Sequence, residues 1–206
     1  MLRNLVFDMG NVLMEYHPLL PCLRHAQNEE DARAILEALF RAPEWEEKLD
    51  ACLISEPEML KIAQDRLPTP ELGEVCARVF ADYHEDSLFP VAGMDALLRS
   101  LHRRGFHLYL LSNVGERIHQ YKHRLPGYDL FDGLLFSGDE YIKKPDPAIF
   151  RLLLERFGLK AEESLFVDDR KINLDAALSL GMEAYEFLDY DLPSLDAFLK
   201  KLPDPV

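Results

Sequence analysis

The chain has 206 residues, with 37 acidic against 23 basic side chains and a formal charge of −14 at pH 7. A field of that sign argues against nucleic acid and anionic membranes as partners, and an anionic substrate would need local cations to hold it. No apolar run reaches the roughly 18–20 residues that span a bilayer. The first apolar stretch is interrupted by Arg3, Asn4 and Asp8, unlike a signal peptide, so a cytoplasmic globular protein is expected, monomer or homodimer. Cys22, Cys52 and Cys76 are odd in number and widely spaced, which suits reduced thiols and neither a disulfide frame nor a zinc site.

Asn4-Leu5-Val6-Phe7 reads as a buried strand, closed by Asp8 and a Gly10-Asn11 turn. Strand signals then vanish until about residue 88. The periodicity predicts helices over 28–42, around Glu58–Asp65 and around Glu71–His84, separated by Pro43, Pro57 and the Pro68-Thr69-Pro70 punctuation. That block reads as an all-helical insert. Beyond it, residues 92–104 form a helix stopped by Gly105, and His107–Leu111 a strand ending at Ser112-Asn113. A helix near Glu116–His123 and a short strand, Gly133–Phe136, follow. Asp146-Pro147 caps a helix with the buried stripe Ile149, Phe150, Leu153, Leu154 and Phe157, ended by Gly158. Leu165-Phe166-Val167 is a strand closed by Asp168-Asp169. A helix over Ile172–Ser179, a strand over Ala184–Phe187 and a last helix over Pro193–Lys201 complete the chain. Strands alternating with helices at this spacing imply a parallel sheet with right-handed crossovers.

In such a sheet the carboxyl ends of the strands share one edge, so Asp8, Ser112, Asn113, Lys144, Asp168 and Asp169 can converge there. Three carboxylates about 4–5 Å apart, at an effective dielectric near 20, repel by roughly 3–4 kcal/mol per pair. One lysine does not offset that, and an all-oxygen carboxylate site favours Mg²⁺ over zinc or copper. Ser112 and Asn113 offer neutral donors for phosphate oxygens. The pair His119 and His123 has helical zinc-ligand spacing but no third ligand nearby, and reads as a polar helix face.

Four stretches in this order resemble the haloacid dehalogenase-like (HAD) hydrolase superfamily. They are Phe7-Asp8-Met9-Gly10-Asn11-Val12-Leu13, Leu110-Leu111-Ser112-Asn113, Lys144-Pro145-Asp146-Pro147, and Phe166-Val167-Asp168-Asp169 with Asn173 and Gly181 beyond. The resemblance implies an α/β fold: a Rossmann-like parallel-sheet core, residues 1–15 and 88–206, with an inserted all-helical cap, residues 16–87. It implies that Asp8 is a nucleophile forming an aspartyl-phosphate. Asp8, the Gly10 carbonyl, Asp168 and Asp169 would hold Mg²⁺. Ser112, Asn113 and Lys144 would bind the phosphoryl group, with Lys144 preferred to Lys143 because it directly precedes Pro145. The family's phosphatases usually carry a second Asp two residues after the nucleophile, for proton transfer worth about 10²–10⁴ in rate. Here that residue is Gly10, a form that recurs in a branch similar to sugar-phosphate phosphatases.

The expected function is hydrolysis of a small phosphorylated metabolite, with a sugar 1-phosphate favoured. A 2-haloacid dehalogenase and a catalytically impaired phosphate- and Mg²⁺-binding regulatory protein are the alternatives. In the insert, Tyr16, His17 and Trp45 are candidates for facing the site, though packed or surface positions are the first expectation for each.

Overall fold

The computed structural model describes residues 1–205; residue 206, the end of the expected core segment, lies outside the described residues. The chain runs β1 (Asn4–Phe7), β2 (Met14–Tyr16), α1 (Leu19–His25), α2 (Glu29–Ala38), α3 (Glu56–Arg66), α4 (Pro70–Asp86), β3 (Leu88–Pro90), α5 (Met94–Arg103) and β4 (His107–Ser112). It continues through α6 (Ile118–Tyr121), β5 (Phe131–Phe136), α7 (Ser137–Glu140), α8 (Pro147–Phe157), β6 (Ser164–Asp168), α9 (Lys171–Ser179), β7 (Glu183–Glu186) and α10 (Leu192–Leu199). Five strands form one sheet in the order β5-β4-β1-β6-β7, and all four pairings are parallel. β1 lies at the centre with every residue buried, as its unbroken apolar run requires in a sheet covered on both faces.

Alternation along the strands sorts the core into two layers. Leu5 and Phe7 of β1, with Leu108 and Leu110 of β4, face α5 and its Leu97, Leu98 and Leu101. Val6, Tyr109, Leu111 and Phe166 face the other way, onto Ile149, Phe150 and Leu153 of α8 and Leu174 and Ala177 of α9. Gly105 and Gly158 follow α5 and α8 at φ 91° and 65°, the left-handed geometry that ends a helix.

Helices α1 to α4 gather around a separate core that includes Ile35, Leu39, Met59, Ala63, Val79 and Phe80. Their starts carry the expected chemistry. Asn28 accepts from the Asp31 amide, Ser55 and Glu58 form a reciprocal capping box, and Thr69 accepts from the Leu72 amide. The sequence reading misses four elements here. Helix α1 contains Pro21, tolerated because first-turn amides have no intrahelical acceptor to lose. Trp45–Leu49 forms a π-helical turn, too short to show a period. β2 and β3 are three-residue strands that pair antiparallel, Tyr16 opposite Leu88 and Met14 opposite Pro90. The expected helix over 28–42 stops at Ala38, and the one near Glu116–His123 is four residues of α6 followed by a 3₁₀ turn. No helix among the described residues is long and apolar enough to cross a membrane.

Candidate active site

The site lies at the carboxyl edge of the sheet. Asp8 leaves β1 with its amide donating to the Val167 carbonyl at 2.9 Å, so its place is set by the β1–β6 ladder. One carboxylate oxygen accepts from the Met9 amide at 2.7 Å and lies 2.8 Å from the Lys144 ammonium. Lys144 donates to Asp168 at 2.7 Å. Its position is held by Asn113, whose side-chain amide donates to the Lys144 carbonyl and whose side-chain oxygen accepts from the Lys144 amide, both at 2.8 Å. Asn113 therefore positions Lys144 through one side-chain N–H and its side-chain oxygen. Ser112, buried at the end of β4, lines the cavity.

Asp168 is fully buried and accepts from the Arg170 amide at 2.8 Å and from Asn173 at 3.0 and 3.1 Å. The Asn173 oxygen is buried with no partner. Asp169 accepts from Asn11 at 3.1 Å, and Asn11 in turn accepts from the Tyr190 hydroxyl at 3.0 Å. Asn11 occupies φ 55°, a conformation asparagine adopts more readily than most residues. Its role in orienting Asp169 went unread in the sequence, although its place in the Gly10-Asn11 turn was the available signal. Gly10 is not in the left-handed region, and a Cβ built on it meets nothing within 4 Å.

Burial pushes the Asp8 carboxyl up to about 7, against the pull of Lys144 and with a further push from Asp168. Burial lowers the Lys144 ammonium, but Asp8 and Asp168 outweigh it and the net shift is upward. Asp169 is raised by burial, with Asn11 opposing. Oxygen atoms of Asp8, Asp168 and Asp169 lie within 4.8 Å of one another. Three carboxylates around one lysine leave excess negative charge in a buried place, and a hard divalent cation with oxygen ligands fits that donor set.

A cavity of about 330 Å³ opens above these groups, with Gly10 also at its floor. Its opposite wall comes from the helical segment: Tyr16, Phe40, Trp45, Asp50 and Tyr83 line it, with Tyr121 from α6. An Arg170–Glu46 ion pair joins the two sides at the rim. Of the three residues singled out in the insert, Tyr16 and Trp45 reach the cavity. His17 does not: it pairs with Glu15 at 3.0 Å beside Phe89. His119 pairs with Asp139 at 2.8 Å, as a polar helix face would.

The family model of haloacid dehalogenase-like hydrolases matches residues 2–181. The chain belongs to this family. The chain is similar to a sesquiterpene phosphatase of Aspergillus oryzae, 27% identical over 89% of each chain. A D-ribitol-5-phosphate phosphatase of Bacteroides thetaiotaomicron is 24% identical, over 90% of this chain and 92% of that one. Two solved structures share the fold. One is a HAD family enzyme from Bacteroides thetaiotaomicron in complex with magnesium and inorganic phosphate, with TM-score 0.66, 21% identity and coverage of 90% and 94%. The other is described as a dehalogenase, with TM-score 0.72, 22% identity and coverage of 99% and 98%.

Proposed function

We propose that the chain is a Mg²⁺-dependent phosphatase of small phosphorylated metabolites that works through a phosphoenzyme on Asp8. The observation that carries this reading is the charge arrangement: one buried ammonium between Asp8 and Asp168, with Asp169 close enough to complete a three-carboxylate cluster. A dehalogenase needs no metal, and these three acids are costly to bring together without one. The phosphatase names of two relatives support the same choice.

In this reading Asp8, the Gly10 carbonyl, Asp168 and Asp169 hold Mg²⁺. The bound ion supplies charge neutralisation for an anionic substrate beside an anionic nucleophile. Lys144 screens the same repulsion and draws the Asp8 carboxyl back toward its ionised form against the upward push of burial. Asp8 attacks phosphorus, and a covalent step splits one hard displacement into two. Ser112 binds a phosphoryl oxygen, while Asn113 fixes the lysine. Residues 1–15 and 88–206 act as the catalytic domain, and residues 16–87 as a cap whose aromatic wall chooses the leaving group. Aromatic faces also suit the apolar faces of a sugar ring, which keeps sugar 1-phosphates first among candidate substrates.

The test is phosphate release from a panel of phosphorylated metabolites, with Mg²⁺ and after exhaustive chelation. Asp8→Asn keeps the size of the side chain and removes the attacking charge, so turnover should fall to background in a folded protein. Retention of a tenth of wild-type activity would remove Asp8 as nucleophile. Full activity after chelation, or chloride release from a 2-haloacid, would favour the dehalogenase.

A further inference from the structure

Cleaving the phosphate of a primary alcohol requires a proton on the departing oxygen, because an alkoxide is a poor leaving group. Gly10 carries no side chain to provide one. The carboxylates on the cavity floor are committed: Asp8 and Asp168 share Lys144, and Asp169 accepts from Asn11. A fourth carboxyl lines the cavity from the opposite wall. Asp50 ends the π-helical turn Trp45–Leu49, and its backbone is fixed at both groups. Its amide donates to the Trp45 carbonyl at 3.1 Å, and its carbonyl accepts from the Ser137 hydroxyl. The Asp50 side chain, half-buried on the cavity lining, has neither hydrogen bond nor ion pair among the described residues, so its carboxyl is uncommitted where the other acids are not.

We propose that Asp50 is the proton donor to the leaving oxygen, supplied by the helical segment in place of the residue absent at Gly10. This inference rests on the phosphatase reading. In the first step an Asp8 oxygen bonds to phosphorus, the bond from phosphorus to the substrate oxygen breaks, and the Asp50 proton passes to that oxygen to give the free alcohol. In the second, water attacks the phosphoenzyme, its proton passes to the Asp50 carboxylate, and the bond from phosphorus to Asp8 breaks. Phosphate leaves, and both carboxyl groups return to their starting states.

The surroundings favour the protonated form of Asp50, the form this task needs. Burial raises it well above the usual carboxylate range, with Glu46 and Asp8 adding to the rise and Lys143 and Arg170 opposing it. Tyr16, Tyr83 and Tyr121 also face it. Burial holds all three above the ordinary tyrosine value, which makes them weaker acids than the carboxyl and leaves them neutral walls.

The experiment compares kcat/KM for p-nitrophenyl phosphate with that for a series of primary alkyl phosphates, using the full chain with saturating Mg²⁺. Wild type should show a shallow dependence on leaving-group pKa. Asp50→Asn should steepen it, lowering the alkyl-to-aryl ratio at least about 100-fold, within the range of general acid catalysis. Gly10→Asp added to that variant should recover the ratio at least about tenfold, since the backbone and the space at residue 10 admit a side chain. Loss of both activities in equal proportion, or an unchanged ratio, overturns the assignment. The wild-type pH profile tests it without any substitution. As pH rises, loss of the Asp50 proton should depress alkyl turnover and spare aryl turnover, and a parallel fall of both overturns the assignment. A wild type that releases phosphate from neither class sinks the phosphatase reading itself, whereas an active wild type with an unchanged Asp50→Asn ratio sinks only the proton donor.

Discussion

Lys144 is 1% exposed and lies 2.8 Å from Asp8 and 2.7 Å from Asp168. Its removal leaves two buried carboxylates facing each other with no counter-charge. Breaking a buried pair from one side costs about 3–5 kcal/mol, so Lys144→Met should lower the urea midpoint by a corresponding amount and abolish turnover. Mg²⁺ should return part of the lost stability, because it offers the acids another cation. A variant as stable as wild type without metal would show that the acids are already neutral. Asp8, Lys144 and Asp168 were legible because each follows or ends an apolar run, and a parallel sheet gathers such positions at one edge. Lys144, not Lys143, directly precedes Pro145, and it is Lys144 that lies between Asp8 and Asp168. Asp50 was illegible: one acid among 37 carries no signal until the fold puts it on the cavity that Asp8 lines. The type of Asn113 suggests a phosphate ligand; only geometry shows its amide clasping the Lys144 peptide as well.

Arg117 ties the sheet core to the helical segment. It reaches Glu56 at the start of α3 through two bonds of 2.8 and 2.5 Å, donates to the carbonyls of Phe80 and Ala81 in α4, and stacks 4.7 Å from the centre of the Phe80 ring. Its side chain is 9% exposed. Arg117→Ala removes these bonds and frees buried acceptors, at a cost of about 1–3 kcal/mol. If the latch keeps the wall over the cavity, KM should rise several-fold while kcat changes less. Lysine at this position should recover little, since it lacks the planar fork. An unaltered KM would make Arg117 a stability element only. At this scale the long helices were legible to within a few residues, because caps and apolar stripes are local. β2 and β3 were not, since each is only three residues long and gains its shape from a partner 70 or so positions away.

For the whole molecule, binding of Mg²⁺ to the native state alone adds stability by mass action, about 2.7 kcal/mol at a hundredfold excess over Kd. The melting temperature should therefore climb with Mg²⁺ concentration, and Asp168→Ala should flatten that response. An equal climb in the variant would place the ion elsewhere on this acidic surface. The β2–β3 ribbon has a consequence of another kind. The chain leaves for the helical segment and returns from it through adjacent strands, with the Cα atoms of Tyr16 and Leu88 paired, while the apolar cluster of that segment, among the described residues, draws on Leu19 to Tyr83. Residues 17–87 can thus be excised as a cassette and the ribbon closed with a two-residue Asn-Gly turn, which matches the twist of a hairpin. The shortened chain should fold, keep Asp8, Lys144 and Asp168 in register, and lose Asp50 with its cavity wall. It should turn into a blunt catalyst, open to bulky phosphoesters such as phosphotyrosine peptides but confined to those whose alcohol departs unaided. Selectivity then becomes a transplantable trait, carried by one uninterrupted stretch of gene and exchangeable at two neighbouring joints.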